Sequence, residues 1–91
     1  MPSALELFGK QIRALRLARH LSQEKLAEMC GTHRNFVGVI ERADKAPGFN
    51  YVLKLSVGLK VRPAELFKLI PNLTSADIPE SEKKKKNKKE K

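Results

Sequence analysis

The stretch from Ser22 to Ile40, Ser-Gln-Glu-Lys-Leu-Ala-Glu-Met-Cys-Gly-Thr-His-Arg-Asn-Phe-Val-Gly-Val-Ile, constrains the fold more than any other part of the chain. Leu26, Ala27 and Cys30 recur on one face at helical spacing, and Val37 and Ile40 begin a second apolar stripe beyond Gly31. Gly31 is suited to the left-handed backbone that ends a helix. Ser22 is a good N-cap, and Glu24 then lies near the positive end of the first helix, with Glu28 further along its outer face. Two short amphipathic helices are therefore expected, over about residues 22–30 and 32–42, with Thr32 or His33 opening the second. Neither can bury its stripe alone, so the flanking segments must cover them.

Those segments have the pattern to do so. Leu5, Phe8, Ile12 and Leu15 make one stripe of a first helix, whose other face carries Lys10, Gln11, Arg13 and Arg19. Residues 43–48 read as a loop, after which Phe49, Val52, Leu53, Ser56 and Leu59 repeat at helical spacing. Pro63 is placed for the first turn of a fifth helix, expected to run to about Ile70 with Leu66, Phe67 and Ile70 as its stripe and Pro71 as its stop. The expectation is an all-α, compact five-helix domain over residues 1–71. Residues 72–91 are expected to be a disordered linker and lysine-rich tail.

Composition narrows the function classes. With 41% hydrophobic residues but 5% aromatic and no Trp, the chain can close a small helical core but hardly a deep catalytic pocket. No paired carboxylates and no nucleophile with a base emerge, so an enzyme is not expected. One cysteine rules out an intramolecular disulfide, and His20 and His33 offer no ligand spacing with Cys30, so neither metal nor cofactor is expected. The net charge of +9 suggests a polyanionic partner, yet seven lysines between 83 and 91 against Glu90 carry +6 of it. That tail reads as a nonspecific DNA clamp, a solubilising surface or an artificial extension. The start lacks the pattern of a secretory signal, and nowhere are there about 18 consecutive apolar residues, so a cytoplasmic protein without a membrane partner is expected.

Arg16, Leu21-Ser22-Gln23, Leu26-Ala27, Gly31, Val37, Ile40-Glu41-Arg42, and then Leu59 with Val61 and Glu65-Leu66 occur together in one order and spacing. In this the chain resembles the phage-repressor-like helix-turn-helix (Xre) family over roughly residues 5 to 70. The run from Arg34 to Arg42 looks most like the controller proteins of restriction-modification systems. Departures from the pattern are Ala43 and Lys60, where the family often has Gly in a left-handed conformation at a cost of about 1 kcal/mol to a side chain, and Gly58, inside the fourth helix, where Ala is common and Gly is expected to cost roughly 0.5 to 1 kcal/mol.

The resemblance implies a sequence-specific DNA-binding transcriptional regulator whose second short helix enters the major groove. Arg34 and Asn35 then stand in its first turn as base readers, Arg suiting the O6 and N7 of guanine and Asn the N6 and N7 of adenine. The plainer reading of the two is a solvated helix start. Gly38, one turn on, serves either close approach to the groove or packing within the protein, and Val39, like Phe36, either meets thymine methyls or packs internally. Gln23, His33, Arg42, Lys45 and Asn50 match positions that hold the phosphate backbone, which sets register without reading sequence. Arg16 and Glu41 are implied to form a partly buried structural ion pair.

One such unit reads few base pairs, so a homodimer on a pseudo-palindromic operator is expected, its recognition helices about 34 Å apart. Phe67, Leu69, Ile70 and Leu73 supply the apolar surface for it. Glu24 and Glu28 form an acidic edge that in some family members faces RNA polymerase, and otherwise is a solvated face. The alternative is an antitoxin-like or adaptor protein that uses the same fold mainly to hold another protein.

Overall fold

A computed structural model describes residues 2–78, and the lysine-rich run at 83–91 lies outside the described residues. The elements are α1 (Ala4–Ala18), α2 (Gln23–Cys30), α3 (Phe36–Glu41), α4 (Phe49–Leu59) and α5 (Pro63–Leu66), followed by a 3-10 turn, Ser75–Asp77. No strand occurs among the described residues. The all-α, five-helix expectation is met.

The helix ends follow from local chemistry. Ser3 and Glu6 form a capping box on α1, each side chain accepting the other's backbone N–H. Ser22 Oγ accepts from the Lys25 N–H at 2.9 Å, which starts α2, and Pro63 opens α5 where its missing N–H costs nothing. At the other ends, α1 to α4 close alike: His20, Gly31, Ala43 and Lys60 all take positive φ, between 57° and 70°. Each is followed by an N–H that reaches back five residues, from Leu21 to Arg16 O, Thr32 to Ala27 O, Asp44 to Val39 O and Val61 to Ser56 O. Ala43 and Lys60 are thus left-handed as expected, and His20 joins them.

Several boundaries differ from the sequence reading. α3 starts at Phe36 rather than near residue 32, because residues 33–35 make a separate turn in which the Phe36 N–H donates to His33 O at 2.9 Å. α5 is one helical turn ending at Leu66 rather than a helix to Ile70; the residues after it close as turns through bonds from Phe67 to Ala64 O and from Ile70 to Phe67 O. In α4 the apolar phase is shifted: Leu55, Ser56, Gly58 and Leu59 are buried, Val52 is half-buried, and Phe49 is 76% exposed. Within the stretch expected to be disordered, Asp77 accepts from both the N–H and the hydroxyl of Thr74, and this capping box holds the 3-10 turn.

The core is formed by Phe8, Ile12, Leu26, Ala27, Cys30, Val37, Ile40, Leu55, Leu59 and Leu66. The buried Gln11 ties α1 to α5 by donating to Glu65 O at 2.9 Å. Two glycines set interhelical distances. A Cβ on Gly9 would lie 2.6 Å from Ile40 O and 2.9 Å from Glu41 O, so α1 passes directly over the end of α3. A Cβ on Gly58 would lie 2.5 Å from Cys30 Sγ, so Gly58, which read as a weakness in α4, is what lets α4 close on α2. The same burial pushes the Cys30 thiol above its ordinary pKa, which keeps it protonated and packed as an apolar group. Gly58→Ala is expected to destabilise by about 1 to 3 kcal/mol in urea unfolding. Much of that loss should be absent when the same change is made in a Cys30→Ala background; an equal loss in both backgrounds would contradict the packing account.

Candidate nucleic-acid interface

α2 and the turn at residues 31–35 expose polar side chains beside and ahead of α3, and the geometry of this face begins with a buried carboxylate. Arg16 donates to Glu41 through Nε at 2.6 Å and Nη2 at 3.1 Å, and its Nη1 donates to Leu21 O at 2.8 Å. The two side chains are 7% and 3% exposed, so the bidentate pair is largely withdrawn from water. Gln23, the first residue of α2, donates its amide to the same carboxylate at 3.0 Å, and the Arg13 guanidinium lies 3.9 Å from it. One carboxylate thereby joins α1, α2 and α3. No buried side-chain polar atom among the described residues lacks a partner.

The expected site residues divide into three groups. Arg34 and Asn35 are exposed, and they stand in the turn ahead of α3 rather than in its first turn. Asn35 has helical backbone angles and makes no side-chain cap bond, which leaves its amide unengaged. Its backbone N–H donates to His33 Nδ1 at 3.1 Å, so the His33 ring holds this turn. Arg34 has an ion pair with Glu24 at 3.9 Å.

Gly38 and Val39 form the second group. Gly38 is buried: a Cβ there would stand 3.1 Å from Arg42 Nη1 and 3.3 Å from Gln23 Oε1. Its missing side chain makes room for Gln23 to lie across α3 and reach Glu41, a packing role. Val39 is half-buried.

The cations and amides at the edge are the third group. Arg42 donates from Nε to Asp44 Oδ2 at 2.9 Å, while Lys45 and Asn50 are exposed. Gly48 caps α4 without a side-chain acceptor, so the first N–H groups of α4, beside Asn50, are available to an anion. The sequence did not point to the tilted packing of the Phe36 and Tyr51 rings, with centroids 4.6 Å apart, which brings the start of α3 against α4. Lys54 lies over the same Tyr51 ring at 5.0 Å.

Away from this face, Phe67, Leu69 and Leu73 are exposed, whereas Ile70 is half-buried against the core. The Phe67 ring packs 5.4 Å from that of Phe8. Leu5, Phe8, Val52, Phe67, Ile70 and Leu73 line a mostly apolar hollow of about 780 Å³.

Two short helices set across a glycine turn, with Arg34 and Asn35 exposed ahead of the second, have the layout of a helix-turn-helix. A helix-turn-helix profile matches residues 12–66. The chain belongs to the Xre-type helix-turn-helix family. Control protein C.BamHI of Bacillus amyloliquefaciens is 39% identical over 61 residues, 66% of this chain and 75% of the relative. Control protein C.SmaI of Serratia marcescens is 31% identical over 67% of this chain and 73% of its own length. The crystal structure of the restriction-modification controller protein C.AhdI from Aeromonas hydrophila is similar with a TM-score of 0.67 and 42% identity, covering 68% of this chain and 94% of that one. This helix-turn-helix family is one of DNA-binding regulators, and the matched region spans α2 to α5 whole.

Buried scaffold residues and exposed residues of this face should separate on substitution. Glu41→Ala strands the buried Arg16 charge and is expected to cost about 3 to 5 kcal/mol. Arg34→Ala, exposed and weakly paired, should stay within about 0.5 kcal/mol of the parent. Urea unfolding of both variants measures the contrast, and similar midpoints would contradict it.

Proposed function

We propose that the chain is a cytoplasmic, sequence-specific transcriptional regulator of the restriction-modification controller type, acting as a homodimer on a pseudo-palindromic operator with α3 in the major groove. The observation that carries this reading is the turn ahead of α3, where Arg34 and Asn35 are both exposed, Asn35 with no side-chain cap bond and Arg34 in an open, solvent-facing pair with Glu24. An arginine fork and an amide so placed suit guanine and adenine edges, with Val39 one turn further toward a thymine methyl. Gly38 contributes indirectly, by letting Gln23 and Arg42 fold over α3.

Phosphate contacts come from the surrounding groups. The Gln23 amide keeps one N–H free after bonding Glu41, His33 offers Nε2, and Arg42, Lys45 and Asn50 complete the edge. Such contacts set register and supply the salt-dependent part of the affinity. Phe67, Leu69, Ile70 and Leu73 pair the two subunits. Where the operator lies beside a promoter, Glu24 and Glu28 are the surface offered to RNA polymerase; elsewhere the dimer excludes polymerase.

Selection from a random duplex pool, run for the parent and for Arg34→Ala, tests base reading and symmetry together. The parent should yield an inverted repeat with half-site centres about 34 Å apart. Arg34→Ala should lose about 1 to 3 kcal/mol on that repeat and relax one base position per half-site. Equal weakening on every sequence would defeat the reading. Sedimentation should find a dimer at high micromolar concentration and a monomer after Leu73→Asp; a parent that stays monomeric there would refute the pairing surface.

A further inference from the structure

We propose that Glu24 is a specificity-determining residue of the interface, a carboxylate that permits Arg34 to engage a base edge and opposes its capture by DNA phosphate. The inference rests on Arg34 as a base reader. Arg34 precedes α3, so no helical backbone aims it, and its side chain is 72% exposed. Among the described residues its one ion pair is with Glu24, which is 73% exposed. The neighbouring Glu28 is already matched by Lys25 at 3.2 Å, one turn along α2. Glu24 and Arg34 share an open cleft of about 520 Å³ between α2 and the turn, whose other walls are Ser22, Lys25, Glu28 and Thr32.

Charge decides what this pair tolerates. An exposed arginine is drawn to any phosphate, and a duplex offers one per 1.7 Å or so of its axis. A carboxylate beside the guanidinium partly neutralises it and repels the phosphate, so that non-operator DNA holds Arg34 less well. A guanine edge is uncharged. It offers O6 and N7 to one side of the fork while Glu24 keeps the other, and nothing in that arrangement sets two anions against each other. The pair is too exposed to hold the fold, and for the same reason it is readily exchanged.

The test measures the affinity of the full chain for its selected operator and for a scrambled duplex of equal length, across a salt series. Four proteins are compared: the parent, Glu24→Gln, Arg34→Ala and the double variant. Glu24→Gln should bind the scrambled duplex about three- to tenfold more tightly, with a salt slope steeper by up to about 0.9. Operator affinity should change less than twofold, so the ratio between the duplexes falls, and the change should vanish in the Arg34→Ala background. Equal tightening on both duplexes, or the same tightening without Arg34, would overturn the proposal by making Glu24 a general surface charge. Unchanged binding to both duplexes would overturn it as well. Should Arg34→Ala weaken operator and scrambled duplex alike, base reading by Arg34 fails and this inference with it, a pattern distinct from failure of Glu24 alone.

Discussion

The buried carboxylate of Glu41 is the point from which the helix-turn-helix is built. It sits at the end of α3, takes two hydrogen bonds from Arg16 of α1 and one from Gln23 of α2, and is 3% exposed. Removing a carboxylate from water is unfavourable unless its lone pairs are satisfied, and here three donors from two other helices satisfy them. The bond from Arg16 to Leu21 O draws the chain leading into α2 toward the same place. A polar network that is complete specifies one arrangement, whereas an apolar contact accepts several.

Close backbone approach does the rest of the positioning. α1 runs over the end of α3 at Gly9 and α4 closes on α2 at Gly58, in each case with no room for a Cβ. The six residues of α3 are too few to form an independent helix, so their geometry is imposed by what surrounds them. This accounts for a helix of six residues keeping a fixed place in the domain.

What was legible in the sequence was local. Ser22 and Gly31 announced the limits of α2 through side-chain and backbone chemistry that neighbouring residues do not change. The pairing of Arg16 with Glu41 came from family likeness, since nothing in their separation along the chain brings them together. The late start of α3 was hidden because His33 accepts the Asn35 N–H through its ring, a capping role that residue type does not advertise. The phase of α4 was misread because Phe49 and Leu53 are apolar yet face outward, and Gly58 looked costly because its reason lies across the helix interface in Cys30. For the interface, the sequence placed Arg34 and Asn35 on the open side, but the bond from Gln23 to Glu41 and the pair of Arg34 with Glu24 depend on tertiary placement.

Phe36 lies on Tyr51 at the beginning of α3, and Glu41 is held by three donors at its end. A segment secured at both ends has already surrendered the backbone entropy that docking would otherwise demand. The loss left to any binding event then falls on exposed side chains and not on the backbone of α3. A domain organised in this way meets its target as a nearly finished shape, so differences between DNA sequences are felt as differences in fit and not absorbed by rearrangement of the helix.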